Sequence, residues 1–424
     1  MEKKETKESP KKIFSKYEVF VIAVLAILQF TIILDFMVLS PLGAFLLQEL
    51  DITTSQFGWV VSAYAFSAGG AGLLTAGFAD KFDRKKLLLF FYAGFIIGTL
   101  LCALAPNYHF LLIARIVTGL FGGVISSVSY AIITDLFSLE VRGRVMGFVQ
   151  MAFASSQVLG LPIGLYLANH FGWHSPFFMI VGVSVFVAAA IVIHLKPINA
   201  HLVAKGEQNA IAHLMKTVSN TVYLRAFAAT TLLATGGFML MPFGSAFGVN
   251  NLGILPGQLP LLYMITGVCS MIAGPLVGKY SDVIGKYKVF CIGSVLGMII
   301  VAIYCNLGLT PLWIVILLNV LLFIGISSRM VSASALMTAI PEAKDRGAFM
   351  SINASVQQIS GGIASVVAGL IVVQSTSGKL LHYDTLGYVV VGAMLITVFM
   401  MYFIDSYIRH RTSPSITKSQ ITNH

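Results

Sequence analysis

Three ionisable side chains lie inside long apolar stretches of this sequence, where a charge is costly. Asp35 stands in TIILDFMVLSPLG, Arg115 in ARIVTGLFGG and Arg329 in IGISSRMVSAS. Ionisable residues within a membrane face a bundle interior or a water-filled cavity and often mark substrate or ion pathways. Because desolvation disfavours a charged carboxyl group, an aspartate in such a place can take up a proton near neutral pH. The three positions therefore indicate proton or ion-pair chemistry.

Asp35 and Arg115 are expected to fall in the same outer half of a bilayer, and two interpretations of them stay open. In the first, Asp35 carries a proton, and the nearby arginine opposes its protonation, so that the pair switches as water enters and leaves. In the second, the two form a fixed ion pair, or Asp35 only accepts hydrogen bonds and Arg115 is structural. Both are candidate proton-coupling and substrate-cavity residues.

Arg329 lies nearer the other membrane face, and no carboxylate of the second half of the chain falls at its depth. It is expected either to bind backbone carbonyls and the hydroxyl groups of Ser327, Ser328 and Ser332, or to provide a counter-charge for an anionic substrate group. Arg329 is therefore a further candidate residue of a substrate cavity.

The elements that must hold these residues follow from composition. Hydrophobic residues make up 57% of the 424 residues and charged residues only 10%, with a mean hydropathy of +0.88. A water-soluble domain of this length could not bury so much apolar surface, so the chain is predicted to lie in a bilayer. A membrane helix needs about 20 mostly apolar residues, and twelve runs qualify: 18–47, 55–79, 86–105, 109–136, 145–168, 175–195, 223–248, 258–280, 288–308, 311–340, 348–373 and 383–406.

The lysines and arginines predict the orientation of these helices. With the N-terminus in the cytoplasm, all of the 27 basic residues except Arg115, Arg329 and Lys379 fall in the tails, in the cytoplasmic loops or at the adjoining helix ends. This asymmetry predicts cytoplasmic N- and C-termini in the cell (inner) membrane. It also explains the net charge of +10 as a topology signal facing anionic lipid, so no nucleic-acid partner is expected.

A dense cluster of charges separates the second and third runs. In GFADKFDRKKLLLFF, six of the seven residues from Asp80 to Lys86 are charged, including acids that a topology signal would not need. A related turn, GKYSDVIGKYK, follows the eighth run, and EVRGRVMGFVQ after the fourth run aligns with KDRGAFMSINA after the tenth. The chain is therefore predicted to consist of two six-helix halves, 18–195 and 223–406, joined by a cytoplasmic linker at 196–222 and flanked by tails at 1–17 and 407–424.

The paired turns resemble the cytoplasmic loop motif of the major facilitator superfamily, G-x-L-a-D-r-x-G-r-k. The first copy keeps the acidic and basic positions but has Ala76 and Asp83 where the motif has glycine. The segment ARIVTGLFGG is similar to the intramembrane arginine motif of the family. The positions of the second copy that match the motif are Gly278, Asp282, Gly285 and Lys286.

This resemblance implies an all-α integral membrane protein with twelve transmembrane helices in two pseudo-symmetric halves. It also implies that an aspartate at the end of predicted helix 2 or 8 binds amides at a helix N-terminus of the opposite half, which holds the cytoplasmic ends together. The alternative is a solvated turn with charges for topology only. The residues expected to form this conformational latch are Asp80, Arg84, Asp135, Arg144 and Asp282.

The fifth run contains GLPIG, which is similar to a motif of the drug/proton antiporter branch, although Leu161 stands where those proteins carry glycine. Gly160 and Gly164 would let another helix approach closely, and Pro162 would bend the helix by removing a backbone hydrogen bond. Plain packing explains such small residues equally well.

The resemblance implies a secondary active transporter that exports a small, partly hydrophobic drug, sugar or metabolite by proton antiport and alternating access. Proton symport or facilitated uptake on the same fold is the alternative, because a fold fixes neither direction nor coupling. A receptor or a membrane enzyme is least favoured, because the sequence has no nucleotide-binding, nucleophile or zinc motif. We expect a monomer in the lipid bilayer that needs a proton gradient, and neither a cofactor nor a metal.

Overall fold

A computed structural model of the protein describes residues 14–75, 81–199, 216–342 and 345–412. These residues contain twelve helices that are long and apolar enough to cross a membrane, as the sequence predicts. They are α1 Lys16–Val38, α2 Thr54–Thr75, α3 Arg84–Ala103, α4 Tyr108–Leu136, α5 Leu139–Ser155 continued by Leu161–Phe171, α6 Ser175–His194, α7 Thr221–Phe238 continued by Gly244–Asn250, α8 Leu259–Ile284, α9 Lys286–Tyr304, α10 Leu312–Ala339, α11 Arg346–Ile371 and α12 Tyr383–Thr412.

The first predicted helix is shorter than the apolar run 18–47. The chain leaves α1 at Val38, and a separate short helix follows at Gly43–Glu49. Pro41 lies in the break, and a proline disfavours helical geometry in the residue before it. The same interruption recurs in α7, where a 3-10 turn around Pro242 separates the long piece from Gly244–Asn250.

Two further elements are absent from the sequence-based prediction. A π-helical turn, Ser156–Gly160, lies between the two pieces of α5 and ends two residues before Pro162. Two short antiparallel strands, β1 Val373–Gln374 and β2 Leu380–Leu381, join α11 to α12. Strands of two residues have no detectable alternation in sequence, so periodicity cannot find them.

The helices form two groups, α1–α6 and α7–α12, which pack against each other mainly through α2 with α11 and α5 with α8. We call the end of the bundle at which α1 begins and α12 ends the terminal end, and the opposite one the far end. Each group has buried aromatic and aliphatic residues, and the larger core cluster extends across both groups at the far end.

Hydrogen bonds join the two groups in the half of the bundle nearer the far end. The Ser40 hydroxyl donates to the Met241 carbonyl, and Ser245 Oγ donates to the Ser40 carbonyl at 3.1 Å. Three further side chains of the first group donate to backbone carbonyl oxygens of the second group: Thr54 to Val372, Ser62 to Gly362 and Asn169 to Pro256. Between described residues, no hydrogen bond crosses from one group to the other at the terminal end. The far ends are therefore closed against each other in this structure.

Candidate functional site

Asp35 of α1 and Arg115 of α4 form an ion pair inside the first group of helices. Asp35 Oδ2 lies 2.7 Å from Arg115 Nη1, which also contacts the Asp35 carbonyl oxygen at 3.4 Å. The other carboxylate oxygen, Oδ1, accepts a hydrogen bond from Thr99 of α3 at 3.2 Å. The Asp35 side chain is 0% exposed and that of Arg115 is 1% exposed, so the pair is closed to water in this conformation.

Glycines explain how three helix backbones converge on this pair. A Cβ atom at Gly98 would lie 2.7 Å from the Thr118 amide nitrogen, and one at Gly119 would lie 2.4 Å from the Tyr64 carbonyl oxygen. Only glycine therefore allows α4 to approach α3 and α2 this closely. The approach places the Arg115 guanidinium 4.6 Å from the centre of the Tyr64 ring, which adds a cation–π contact.

The two charges of the buried pair cancel, so the stability of each charge in this place depends on the other residue. Arg115 Nε has no hydrogen-bond partner among the described residues, so Asp35 supplies most of what compensates the guanidinium. Removing one member of a buried ion pair leaves an uncompensated charge and costs about 3–5 kcal/mol. A proton on Asp35 has the same electrostatic effect as removing its charge. The compensation of the Arg115 charge therefore depends on Asp35 staying ionised and in contact with it.

The glycines of the helix-5 motif lie against the same α1 helix. A Cβ atom at Gly160 would lie 2.6 Å from Leu34 Cδ1, and one at Gly164 would lie 3.2 Å from Val38 Cγ2. Pro162 is buried in the first turn of the second piece of α5, directly after the π-helical turn. The face of α5 that contains Gly160 and Gly164 thus packs beside Asp35, on the neighbouring residue Leu34.

Arg329 lies apart from that pair, in the second group of helices. Its guanidinium carbon is 5.7 Å from the centre of the Phe290 ring of α9. A Cβ atom at Gly236 of α7 would lie 3.4 Å from Arg329 Nη1. Arg329 has no hydrogen bond to Ser327, Ser328 or Ser332. Ser328 Oγ donates to Ile324 O, and Ser332 Oγ is buried without a partner among the described residues.

The structure brings together only some of the residues expected in the latch. Arg84 Nε donates to Asp135 Oδ2 at 3.1 Å, which joins α3 to α4 within one group. Arg144 is exposed and makes no hydrogen bond or ion pair within the described residues. Asp282 at the terminal end of α8 is also exposed and has no such partner in the described part of the chain. Asp80 lies outside the described residues.

Several residues around these sites give no signal in the sequence. Thr99 and Tyr64 stand in ordinary apolar runs, and only the packing of α2 and α3 brings them to the ion pair. The contact between Tyr223 Oη and Asp345 Oδ2, 3.0 Å long, joins residues that are far apart in the chain. The spacing of Gly160 and Gly164 in α5 is a hint in the sequence of a close helix approach.

Twelve apolar helices in two groups, with a buried ion pair, define a polytopic membrane protein of the transporter type. The sequence profile of the Major Facilitator Superfamily matches residues 25–252 and 226–421. The chain belongs to this superfamily and is therefore a multi-pass membrane transporter of small molecules, not an enzyme.

Individual relatives are similar over most of the chain. An uncharacterised transporter of the superfamily from Bacillus subtilis, YtbD, is 26% identical over 361 residues, which cover 82% of this chain and 87% of the relative. A second one, YceJ, is 28% identical over 270 residues, with 63% and 68% covered. A probable sugar efflux transporter of Helicobacter pylori is 24% identical over 304 residues, covering 70% and 75%.

Solved structures share the fold at low sequence identity. The nucleoside transporter NupG superposes with a TM-score of 0.75 at 12% identity and covers 92% of this chain and 100% of its own. A bacterial homologue of the human lysosomal transporter Spinster gives a TM-score of 0.70 at 14% identity, with 93% and 97% covered.

Proposed function

We propose that this protein is a proton-coupled secondary transporter that exports a small, partly hydrophobic molecule across the cell (inner) membrane. The observation that carries the proposal is the fully buried pair of Asp35 and Arg115, in which one carboxylate balances one guanidinium. A proton on this carboxylate removes the charge that balances the guanidinium of Arg115. Proton binding is therefore linked energetically to the arrangement of α1 and α4.

This linkage supplies a coupling mechanism. A ligand shifts a conformational equilibrium only by its difference in affinity for the two states. In the conformation described here, the ion pair disfavours a proton on Asp35. A conformation that separates Asp35 from Arg115 while the carboxyl group stays largely desolvated would favour it. The proton therefore selects the second conformation, and its release returns Asp35 to Arg115.

The direction of transport is part of the proposal. The similarity to a probable sugar efflux transporter supports export, and the GLPIG segment of α5 supports the drug/proton antiporter branch. The lysine and arginine distribution supports a cytoplasmic terminal end. With that orientation, the far end closed by hydrogen bonds is the outer one, and the structure represents a cytoplasm-facing conformation. We propose a monomer that uses the proton gradient and no cofactor.

Charged residues at the terminal end complete the proposed transport cycle. Asp80 and Asp282 would bind the opposite half only when the terminal ends close, and Arg84, Asp135 and Arg144 would support them. The exposure of Asp282 in this structure is compatible with an open terminal end. Formation of these contacts would then stabilise the outward-open state.

Transport by the purified full-length chain in liposomes tests the proposal. A panel of drugs and sugars is measured with and without an imposed pH gradient, and the internal pH is followed with a trapped dye. Proton antiport predicts uptake into inside-acidic vesicles together with a rise of internal pH. Substrate movement with the proton would indicate symport, and transport unaffected by the gradient would indicate facilitated diffusion; either result contradicts the proposal.

A further inference from the structure

The guanidinium group of Arg329 is buried without a counter-charge. Arg329 is 4% exposed, and its Nε and Nη2 atoms have no hydrogen-bond partner among the described residues. A charged group in a membrane interior normally pairs with an opposite charge or with backbone carbonyls. Phe290 contributes one cation–π contact but no hydrogen-bond acceptor. A group that is not among the described residues around Arg329 is therefore needed to balance its charge.

The second half of the chain cannot supply the missing carboxylate. Asp405 is paired with Arg409 at 2.7 Å, and Asp345 accepts a hydrogen bond from Tyr223 at 3.0 Å. Asp282 is exposed at the terminal end, whereas Asp384 lies in the first turn of α12 at the far end. The one other carboxylate of residues 221–412 is Glu342, which lies beyond the end of α10.

Two buried hydroxyl groups on neighbouring faces are also unpartnered. Ser332 lies one turn from Arg329 on the same face of α10, and Ser294 lies one turn from Phe290 on the same face of α9. Both are 0% exposed, and neither Oγ atom has a hydrogen-bond partner among the described residues. The helices α9 and α10 pack closely here, because a Cβ atom at Gly293 would lie 2.4 Å from Ser328 Cβ, next to Arg329.

The helix α7 closes the other side of the guanidinium with a glycine pair. A Cβ atom at Gly236 would lie 3.4 Å from Arg329 Nη1 and 3.9 Å from Nη2. The adjacent Gly237 borders open space, with no atom within 4 Å of its own Cβ position. Neither residue carries a side chain that would have to move aside if α7 shifted at this point.

The free atoms define the chemistry of a ligand. The Nε–H and Nη2–H bonds of an arginine point to the same side and match the two oxygens of a carboxylate. Hydroxyl groups add further donors to such an anion. We propose that Arg329, Ser294 and Ser332 form a subsite for a carboxylate group of the transported compound, reached by movement of α7 at Gly236 and Gly237. This subsite rests on the proposed transport function and names the substrate class.

Ligand-induced stabilisation of the purified full-length protein tests the subsite directly. Melting temperatures are measured with increasing benzoate, with benzamide as the uncharged analogue, and with sodium chloride at matched concentration. We expect benzoate alone to raise the melting temperature. Arg329→Gln should weaken the apparent affinity for benzoate about tenfold or more. The matched control Arg225→Gln removes an exposed arginine at the start of α7 and should leave the benzoate response unchanged.

Each alternative result overturns the proposal. An equal effect of chloride and benzoate would assign the charge to an inorganic anion, and an equal effect of benzamide would remove the charge requirement. If Arg329→Gln does not fold, the double variant Ser294→Ala with Ser332→Ala keeps the charge. That variant should weaken the benzoate response about three- to tenfold, and an unchanged response would contradict the subsite.

Transport separates this subsite from proton coupling. In liposomes, Arg329→Gln should reduce gradient-driven transport of carboxylate compounds while transport of neutral and cationic compounds continues. Asp35→Asn should instead stop gradient-driven transport of every class. An equal loss across all classes for Arg329→Gln would identify a structural arginine and overturn the subsite, while the proton coupling at Asp35 would stand.

Discussion

The hydroxyl group of Ser40, just after α1, donates a hydrogen bond to the carbonyl oxygen of Met241, in the break of α7. The two residues follow the first long helix of their respective halves, beside Pro41 and Pro242. Ser245 returns a hydrogen bond from its hydroxyl to the Ser40 carbonyl. The breaks that follow the long pieces of α1 and α7 therefore bind each other at the far end of the bundle. This reciprocal contact is a feature of the conformation in which the far end is closed.

Removal of this contact should shift the conformational equilibrium. We expect Ser40→Ala combined with Ser245→Ala to destabilise the closed far end, because a typical hydrogen bond contributes about 1 kcal/mol. The loss of two such bonds, about 2 kcal/mol, alters the ratio of the two states about thirtyfold. Labelling of cysteines introduced at the far end should therefore increase. Ser377→Ala, on the exposed turn between β1 and β2, is the control, and equal labelling in both variants would contradict the prediction.

Asp35→Asn should abolish substrate accumulation driven by a pH gradient, because an amide cannot release a proton. The same change leaves Arg115 uncompensated and should also lower stability by about 3–5 kcal/mol. The double variant Asp35→Asn with Arg115→Gln removes both charges and should recover stability but not coupling. Melting temperature and gradient-driven transport are measured on all three proteins.

A double variant with full accumulation against a gradient would identify Asp35 and Arg115 as a fixed structural pair. Asp384→Asn is the matched control, because Asp384 is exposed in the first turn of α12, in the group of helices that does not contain α1 and α4. That variant should keep both stability and gradient-driven transport.

Gly119→Ala should force α4 away from α2, because the new Cβ atom would lie 2.4 Å from the Tyr64 carbonyl oxygen. Overpacking of this kind costs about 1–3 kcal/mol. The shift should also weaken transport, since Arg115 lies one turn away on α4. Gly182→Ala adds the same methyl group on α6 where no atom lies within 4 Å. Equal melting temperatures of the two variants would contradict the close approach of α4 and α2.

Asp282→Asn should leave the stability of the present conformation unchanged, since Asp282 is exposed and makes no hydrogen bond or ion pair with described residues. If its carboxylate binds the opposite half when the terminal ends close, its loss destabilises only the outward-open state. A loss of about 1.4 kcal/mol changes the ratio of the two states tenfold. Labelling of cysteines introduced on the terminal side of the cavity should rise, and turnover should fall.

Asp80→Asn should act in the same direction but less strongly, because its turn lacks both motif glycines. Unchanged accessibility and normal transport in both variants would reduce these turns to topology signals. Cysteine labelling at the far end of the same proteins serves as the internal control, since it should change in the opposite sense.

The number and order of the helices could be predicted from the sequence because burial in a bilayer requires long apolar runs. The breaks after α1 and in α7 were missed, although Pro41 and Pro242 lie in them, because the short helices that follow are equally apolar. The π-helical turn in α5 was missed for a different reason. It depends on hydrogen-bond registry next to Pro162, which hydropathy does not report.

The sequence by itself determined the bilayer as solvent, the twelve helices and the identity of the three costly charges. It did so because each of these depends on local composition. Only the tertiary structure decided that Asp35 pairs with Arg115 while Arg329 has no partner, because pairing depends on which helix faces meet. Gly98, Gly119 and Gly236 allow the helix backbones to approach each other at these contacts. The effect of each glycine depends on which residue the fold places opposite it.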